Sequence, residues 1–194
     1  RGTNPRLWNS WKASLFHEFF ERVKRALRQG LETPVDQDEL MRENQASARA
    51  LLRAHGAVPE AIERAWARLP AAYFLRHSPE EIARHTRVLA EGQASADEAL
   101  VSVEPRSERG TTAVMIYAPH RRHGFARATA VLDQLGLNIL DASITPVGDG
   151  FSLDSYHVLE EDGTPVSETE RRIEIERALW GTLQHPEEAP LAVS

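Results

Sequence analysis

His120-Arg121-Arg122-His123 sets two imidazoles three residues apart beside two guanidinium groups. Two imidazoles on a loop, with no carboxylate beside them, make a poor metal site, and the guanidinium groups suit an anion better. The same residues lie in Pro119–Gly124, which joins a predicted strand to a predicted helix. A helix start offers free backbone N–H groups and the positive end of a dipole, both suited to a carboxylate. Gly124 permits close backbone approach, and Asn138-Ile139, opening the next strand, is expected to bring polar backbone to the same sheet end. On the chemistry of these residues alone, a plain turn that uses glycine for its geometry is the favoured reading. Asp36-Gln37-Asp38 could hold magnesium only on a strand after a Gly-Ser loop, and here Asp36 with Glu39 reads as a helix cap. Gly148-Asp149-Gly150 reads as hairpin punctuation rather than a phosphate cradle. His85 falls on an apolar helix face, where a hydrogen-bonded core histidine is expected. His17, His55, His77, His157 and His185 show no clustering in the sequence. No Ser-His-Asp, HExxH or phosphate-loop pattern occurs, so no catalytic constellation, cofactor site or metal site is assigned.

The elements that must position the loop can be read from periodicity. Thr112–Pro119 alternates with Val114, Ile116 and Ala118 on one side, Met115 and Tyr117 on the other. A helix follows with Phe125, Ala128, Leu132 and Leu135 at helical spacing, and Gly136 suits its C′ position. Leu137–Thr145 and Phe151–Glu160 are strands around a Pro-Gly turn. Ser167 with Glu170 signals a last helix bearing Ile175, Leu179 and Leu183. The order βαββα is one strand short of a ferredoxin-like unit. Ala99–Glu104 is expected to form a hairpin with Thr112–Ala118 and to cover the edge that the absent strand would occupy.

Residues before this unit read as helices. Pro5 opens one with Trp8, Trp11, Leu15, Phe19, Val23 and Leu27 in register and Gly30 at its end. The next runs from Asp36 to about Ala54, and a third starts at Pro59 with Ile62, Trp66 and Leu69. Tyr73-Phe74 follows Pro70 as an apolar connector. Ser78 and Glu81 then cap a fourth helix with Ile82, His85 and Leu89. The expected architecture is α+β: an all-helical segment over 1–92, a ferredoxin-like unit over 98–184 and a tail over 185–194. Residues 92–97 are the expected linker.

Composition bounds the remaining options. The chain has 41% hydrophobic residues, a net charge of -6 and no cysteine. A pI near 5.8 argues against a nucleic-acid binder. No apolar run approaches the ~20 residues a membrane helix needs, so a soluble, cytoplasmic protein is expected. The abrupt start Arg1-Gly2-Thr3-Asn4 suggests a piece of a longer chain.

The runs NPRLWNSWKASL (4–15), YFLRHSPEEIARH (73–85), APHRRHGFARATAVLDQLGLNILDASI and DGFSLDSYHVLEEDG resemble the C-terminal part of bacterial [protein-PII] uridylyltransferase/uridylyl-removing enzymes, in order and over nearly the whole chain. In that family a nucleotidyltransferase domain and an HD phosphohydrolase domain, which use magnesium, precede two ACT domains. The resemblance implies that residues 1–92 extend the HD domain and 98–184 form the first ACT domain, its last strand lost to truncation. The catalytic domains and the second ACT domain would lie outside the chain. It implies a nitrogen-regulatory role: sensing glutamine or a similar amino acid to control uridylylation of the PII protein. Carried over by position, the ligand loop is Pro119, His120, Arg121, Arg122, His123, Gly124 and Phe125, with Asn138 and Ile139 opposite. The family commonly has an acidic residue where His120 stands, and Arg121 and Arg122 favour a ligand carboxylate. The alternative is a structural module without its own ligand site, which the aromatic residues Trp8, Trp11, Phe19, Trp66, Tyr73 and Phe74 would dock onto a missing domain or into a homodimer.

Overall fold

The computed structural model describes residues 20–21, 36–92, 99–105, 107, 109–121 and 123–184. The expected helix from Pro5, apart from Phe20 and Glu21, which are helical, the linker beyond Gly92, Arg122 of the loop and the tail lie outside the described residues.

Helix α1 spans Gln37–Ala54, and the Asp36 carboxylate accepts from the backbone N–H groups of Asp38 and Glu39 at 3.0 and 3.3 Å. This carboxylate satisfies donors that a helix start leaves free. Helix α2, Pro59–Trp66, buries Ile62 and Trp66. The Tyr73-Phe74 connector expected from the sequence is instead a short helix, α3, over Ala71–Arg76. Pro70 ends one helical run but also serves as the N-cap of the next, so a proline read as a stop acts as a start. Helix α4, Pro79–Glu91, carries a complete capping box: the Ser78 hydroxyl accepts from the Glu81 backbone N–H, and the Glu81 carboxylate accepts from the Ser78 N–H. Among the described residues, no helix is long and apolar enough to cross a membrane.

Strands β1 (Leu100–Glu104), β2 (Thr112–Pro119), β3 (Asn138–Pro146) and β4 (Phe151–Leu159) form one antiparallel sheet in the order β1-β2-β4-β3. Helix α5, Gly124–Gln134, joins β2 to β3, and α6, Thr169–Gln184, follows β4. The α+β class and the extra hairpin strand stand as expected. β1 pairs antiparallel with β2, from Leu100 opposite Tyr117 to Glu104 opposite Ala113, and occupies the edge of a final ferredoxin-like strand. Its outward backbone is not left bare, because Val103 N–H donates to Glu176 Oε1 of α6 at 2.9 Å. Gly136 follows α5 at φ 72°, the left-handed conformation that glycine adopts at little cost. α6 begins at Thr169, slightly after the expected Ser167 cap.

The pleat divides the core in two. Val114, Ile116, Ala118, Tyr156 and Val158 pack against Ala128, Leu132, Ile175 and Leu179 of α5 and α6. The opposite face presents Met115, Tyr117 and Leu153 to Leu52, Ile62, Trp66, Tyr73, Phe74 and Ile82 of α1–α4. The sheet is therefore a middle layer, and its second face buries Trp66, Tyr73 and Phe74 of the helical segment. The Trp66 indole N–H donates to Thr86 Oγ1 at 2.8 Å, and the Trp66 and Phe74 rings meet edge-on at 5.1 Å. Such burial of rings with a satisfied polar tip is strongly stabilising.

Leu153 is fully buried on the helical side of β4. Leu153→Ala should cost about 2–5 kcal/mol of unfolding free energy, through lost transfer energy and the cavity left behind. Urea unfolding followed by tryptophan fluorescence measures this. A loss within about 0.5 kcal/mol, typical of surface changes, would show that the helical layer does not pack on this sheet face.

Candidate functional site

Two places gather polar groups in ways that core packing alone does not explain. The first is buried between the sheet and the helical layer. Glu81 is 3% exposed, yet its carboxylate meets donors from four residues. His157 Nε2 lies 2.9 Å from Oε1, His77 Nδ1 lies 3.3 Å from Oε2, and the Ser78 N–H donates to Oε2 at 3.1 Å. Arg109 Nε stands 3.7 Å from Oε1 while its Nη1 reaches Asp141 Oδ2 at 3.1 Å. An ionised carboxylate only accepts, so His157 Nε2 and His77 Nδ1 carry the protons. His157 Nδ1 then faces Thr111 Oγ1 at 2.8 Å, which is itself 2.8 Å from Ser107 Oγ. Burial alone would raise the Glu81 pKa, but the hydrogen bonds from His157 and His77 and the charge of Arg109 hold it well below the usual carboxylate range.

His85 is buried beside this group, with Nδ1 2.9 Å from Tyr73 Oη and its ring 5.3 Å from that of His77. Burial, with His77 next, pushes its pKa down to about 3, so the ring is neutral and accepts the tyrosine proton. The sequence shows His77 and His157 as unclustered, and the structure corrects this: both bind Glu81, with His85 packed behind. Sequence alone hides the cluster because Glu81 and His157 are 76 positions apart. Among the described residues, no group of three or more His, Asp or Glu could hold a metal ion.

The second place is the end of the sheet where β2 runs into α5. Pro119 ends β2 opposite Phe151, and the His120 N–H donates to the Gly150 carbonyl at 2.6 Å. His120 and Arg121 are exposed, and His123 holds a left-handed φ of 68°, which is uncommon outside glycine. His123 is the N-cap of α5 but makes no side-chain cap bond, and no acidic residue lies in the first turn. The positive end of α5 is thus uncompensated, as a carboxylate-binding helix start requires. A Cβ placed on Gly124 would meet nothing within 4 Å, so the space above it is open to a ligand. Phe125 stacks on Tyr156 with centroids 5.9 Å apart.

Asn138 and Ile139 do not join this loop. Asn138 pairs with Leu159, at the far end of β4 from the Phe151 that pairs with Pro119. β2 and β3 both run antiparallel to β4, so the start of β3 lies beside the start of β2. The length of β4 separates the two ends, about 26 Å at the rise of an extended strand. The expectation that they share one sheet end is therefore corrected for a single chain. The exposed Asn138 amide instead donates to the Glu160 carbonyl at 3.3 Å.

A residue that sequence reasoning missed lies nearer the loop. Asp154 of β4 is 6% exposed, and its Oδ1 has no hydrogen-bond partner. Burial pushes its pKa up to about 6, against a hydrogen bond from Ser152 and the charge of His120. The available signal is alternation in FSLDSYHVL, which puts Asp154 on the same face as Tyr156 and Val158.

The pH dependence of stability follows from the first cluster. Glu81, with its folded pKa lowered, contributes stability that is complete above its unfolded value of 4.5 and is lost on further acidification. His85 acts in the same direction: the unfolded chain gains a proton near 6.5 and the folded one only near 3, so stability falls as pH drops through that window. Asp154, with its pKa pushed up to about 6, acts in the opposite sense between there and its unfolded value of 3.8, so the decline in urea unfolding should appear below about pH 4, where Glu81 and His85 both lose stability. Glu81→Gln should lose about 3–5 kcal/mol at pH 7, because the amide removes the charge beside Arg109 and turns one of the two acceptor oxygens into a donor that faces other donors. A flat profile below pH 4, or a variant as stable as the parent, would contradict the role given to Glu81.

The chain matches the family model described as the uridylyltransferase GlnD fifth domain over residues 36–88, which spans α1–α4. It is 38% identical over 194 residues to a bifunctional uridylyltransferase/uridylyl-removing enzyme of Pseudomonas fluorescens, covering 98% of this chain and 22% of that protein. The protein of the same description from Stutzerimonas stutzeri is 42% identical over 190 residues, covering 96% and 21%. One from Pseudomonas putida is 39% identical over 195 residues, covering 98% and 22%. No solved structure matches. The chain spans about a fifth of the length of these curated relatives, and along nearly its whole length it is similar to these bifunctional uridylyltransferase/uridylyl-removing enzymes.

Proposed function

We propose that this chain is a regulatory part of a bifunctional uridylyltransferase/uridylyl-removing enzyme, an ACT-like unit that senses glutamine or a similar amino acid. The observation that carries the reading is the uncapped start of α5 behind the exposed His120 and Arg121, on a chain whose relatives carry that name. Pro119, His120, Arg121, Arg122, Gly124 and Phe125 receive the ligand, its carboxylate at the helix start. In the parent enzyme the ligand controls uridylylation of the PII protein, and magnesium serves catalytic domains outside this chain. For that control, the ligand must favour one arrangement of those domains over another.

A second reading is favoured by the position of Asn138 and Ile139. At about 26 Å from the loop, by the strand rise, they can face the same small ligand only across two units. A second copy of this fold, or the family's second ACT domain, would place them there, and the chain would then act also as a dimerisation module.

Calorimetric titration of L-glutamine into the chain should give saturable heat, with amide shifts centred on Pro119–Phe125. No response at millimolar glutamine would remove the sensing reading for this chain. Light scattering decides the second reading: a strict monomer, with and without glutamine, rules out the homodimer.

A further inference from the structure

The face of β4 turned toward α5 carries two polar groups that the protein itself does not satisfy. Asp154 Oδ1 and the Tyr156 hydroxyl are buried and have no hydrogen-bond partner. Unpaired buried groups are uncommon because each forfeits its bonds to water. Two of them two residues apart on one strand face, beside a helix start without a cap, ask for a common cause. Their neighbours are mostly apolar or small. Ile116 and Ile144 flank Asp154 on the adjacent strands, Ala118 sits opposite Ser152, and Phe125 covers Tyr156. Ile144 is 38% exposed and Phe125 40%, so the apolar rim reaches the surface. Ala118 and Ser152 are small, which keeps the carboxylate from being smothered by bulky side chains. The raised pKa of Asp154 fits a carboxylate that lacks a cation.

We propose that Asp154, with the Tyr156 hydroxyl, receives the ammonium group of an α-amino acid whose carboxylate lies at the start of α5. This rests on the amino-acid-sensing reading of the loop and adds the cationic half of recognition to it. The two halves suit a zwitterion: a dipole-positive helix end for the carboxylate, and an ionised acid with a second oxygen acceptor for the three ammonium protons. A buried acid among apolar neighbours also discriminates, because a ligand without the ammonium leaves its charge unpaired.

The test uses two probes and two readouts on the whole chain. Methylammonium chloride is titrated at pH 7 while the carboxyl 13C resonances of the aspartates are followed, with sodium chloride as the ionic-strength control. The Asp154 resonance should move saturably with methylammonium alone. Calorimetry then compares L-glutamine with 4-carbamoylbutanoate, which lacks the α-amino group. Asp154→Asn should weaken glutamine by at least about tenfold, the scale of one charge-assisted hydrogen bond, and leave 4-carbamoylbutanoate unchanged. Tyr156→Phe should weaken glutamine less. The amide spectrum of each variant verifies the fold, and the methylammonium titration needs no variant. If glutamine gives no heat while methylammonium still moves Asp154, the cation site stands and the glutamine reading fails. An Asp154 resonance that ignores methylammonium overturns the proposal, and so does equal glutamine affinity in Asp154→Asn.

Discussion

The Glu81 carboxylate is the constraint on which the arrangement of layers depends. It caps α4 through Ser78, binds His77 one turn back, reaches His157 on β4 and faces Arg109 before β2. One charge thereby ties the helical layer to the sheet at a fixed register. A buried carboxylate is strongly destabilising unless its lone pairs are filled, and here three hydrogen bonds fill them while the Arg109 guanidinium balances the charge. The apolar contacts of Met115, Tyr117 and Leu153 with α1–α4 supply adhesion, but adhesion tolerates sliding. The directional bonds to Glu81 do not, and they select one docking of the helices among several that apolar burial would permit.

Satisfaction of backbone donors likewise explains why the sheet needs no further strand. β1 covers the open side of β2, and Glu176 of α6 takes the Val103 N–H that would otherwise point outward. With β1 in place, both faces and that edge are occupied by residues of this chain. On the far edge β3 is polar and partly exposed, and Arg109 reaches across to Asp141 there.

Much of this is legible from local pattern. Alternation in Thr112–Pro119, the cap signals at Asp36 and Ser78 and the glycine at 136 all report forces that act within a few residues, so they survive in the sequence. The hairpin edge is legible too, because short connections favour antiparallel neighbours. What the sequence hides is long-range or directional. Tyr73-Phe74 reads as a connector because Pro70 reads as a stop, and only its fixed φ as an N-cap makes it a start. His77 and His157 read as scattered because nothing local joins them. The placing of Asn138 fails because the direction of β3 against β4 is a property of the whole sheet, not of any short run. Asp154 escapes notice because one acid in an alternating strand resembles a solvent position, and only packing reveals that its face is a buried one.

Glu81 and Asp154 show how neighbours decide the meaning of one functional group. Both are buried carboxylates at the sheet, yet Glu81 is held ionised by its donors, while Asp154 is pushed toward neutrality because burial outweighs its bond from Ser152 and the charge of His120. The first has the signature of an element satisfied by folding, the second of an element left open by it. β4 joins them. His157 projects from one face of this strand to Glu81, and Asp154 projects from the other, three residues away. β4 is also hydrogen-bonded along both sides, to β2 and β3, so it resists bending. A charge brought to Asp154 would therefore meet a strand that is braced by its neighbours and anchored to the helical layer through His157 and Glu81 on its other face.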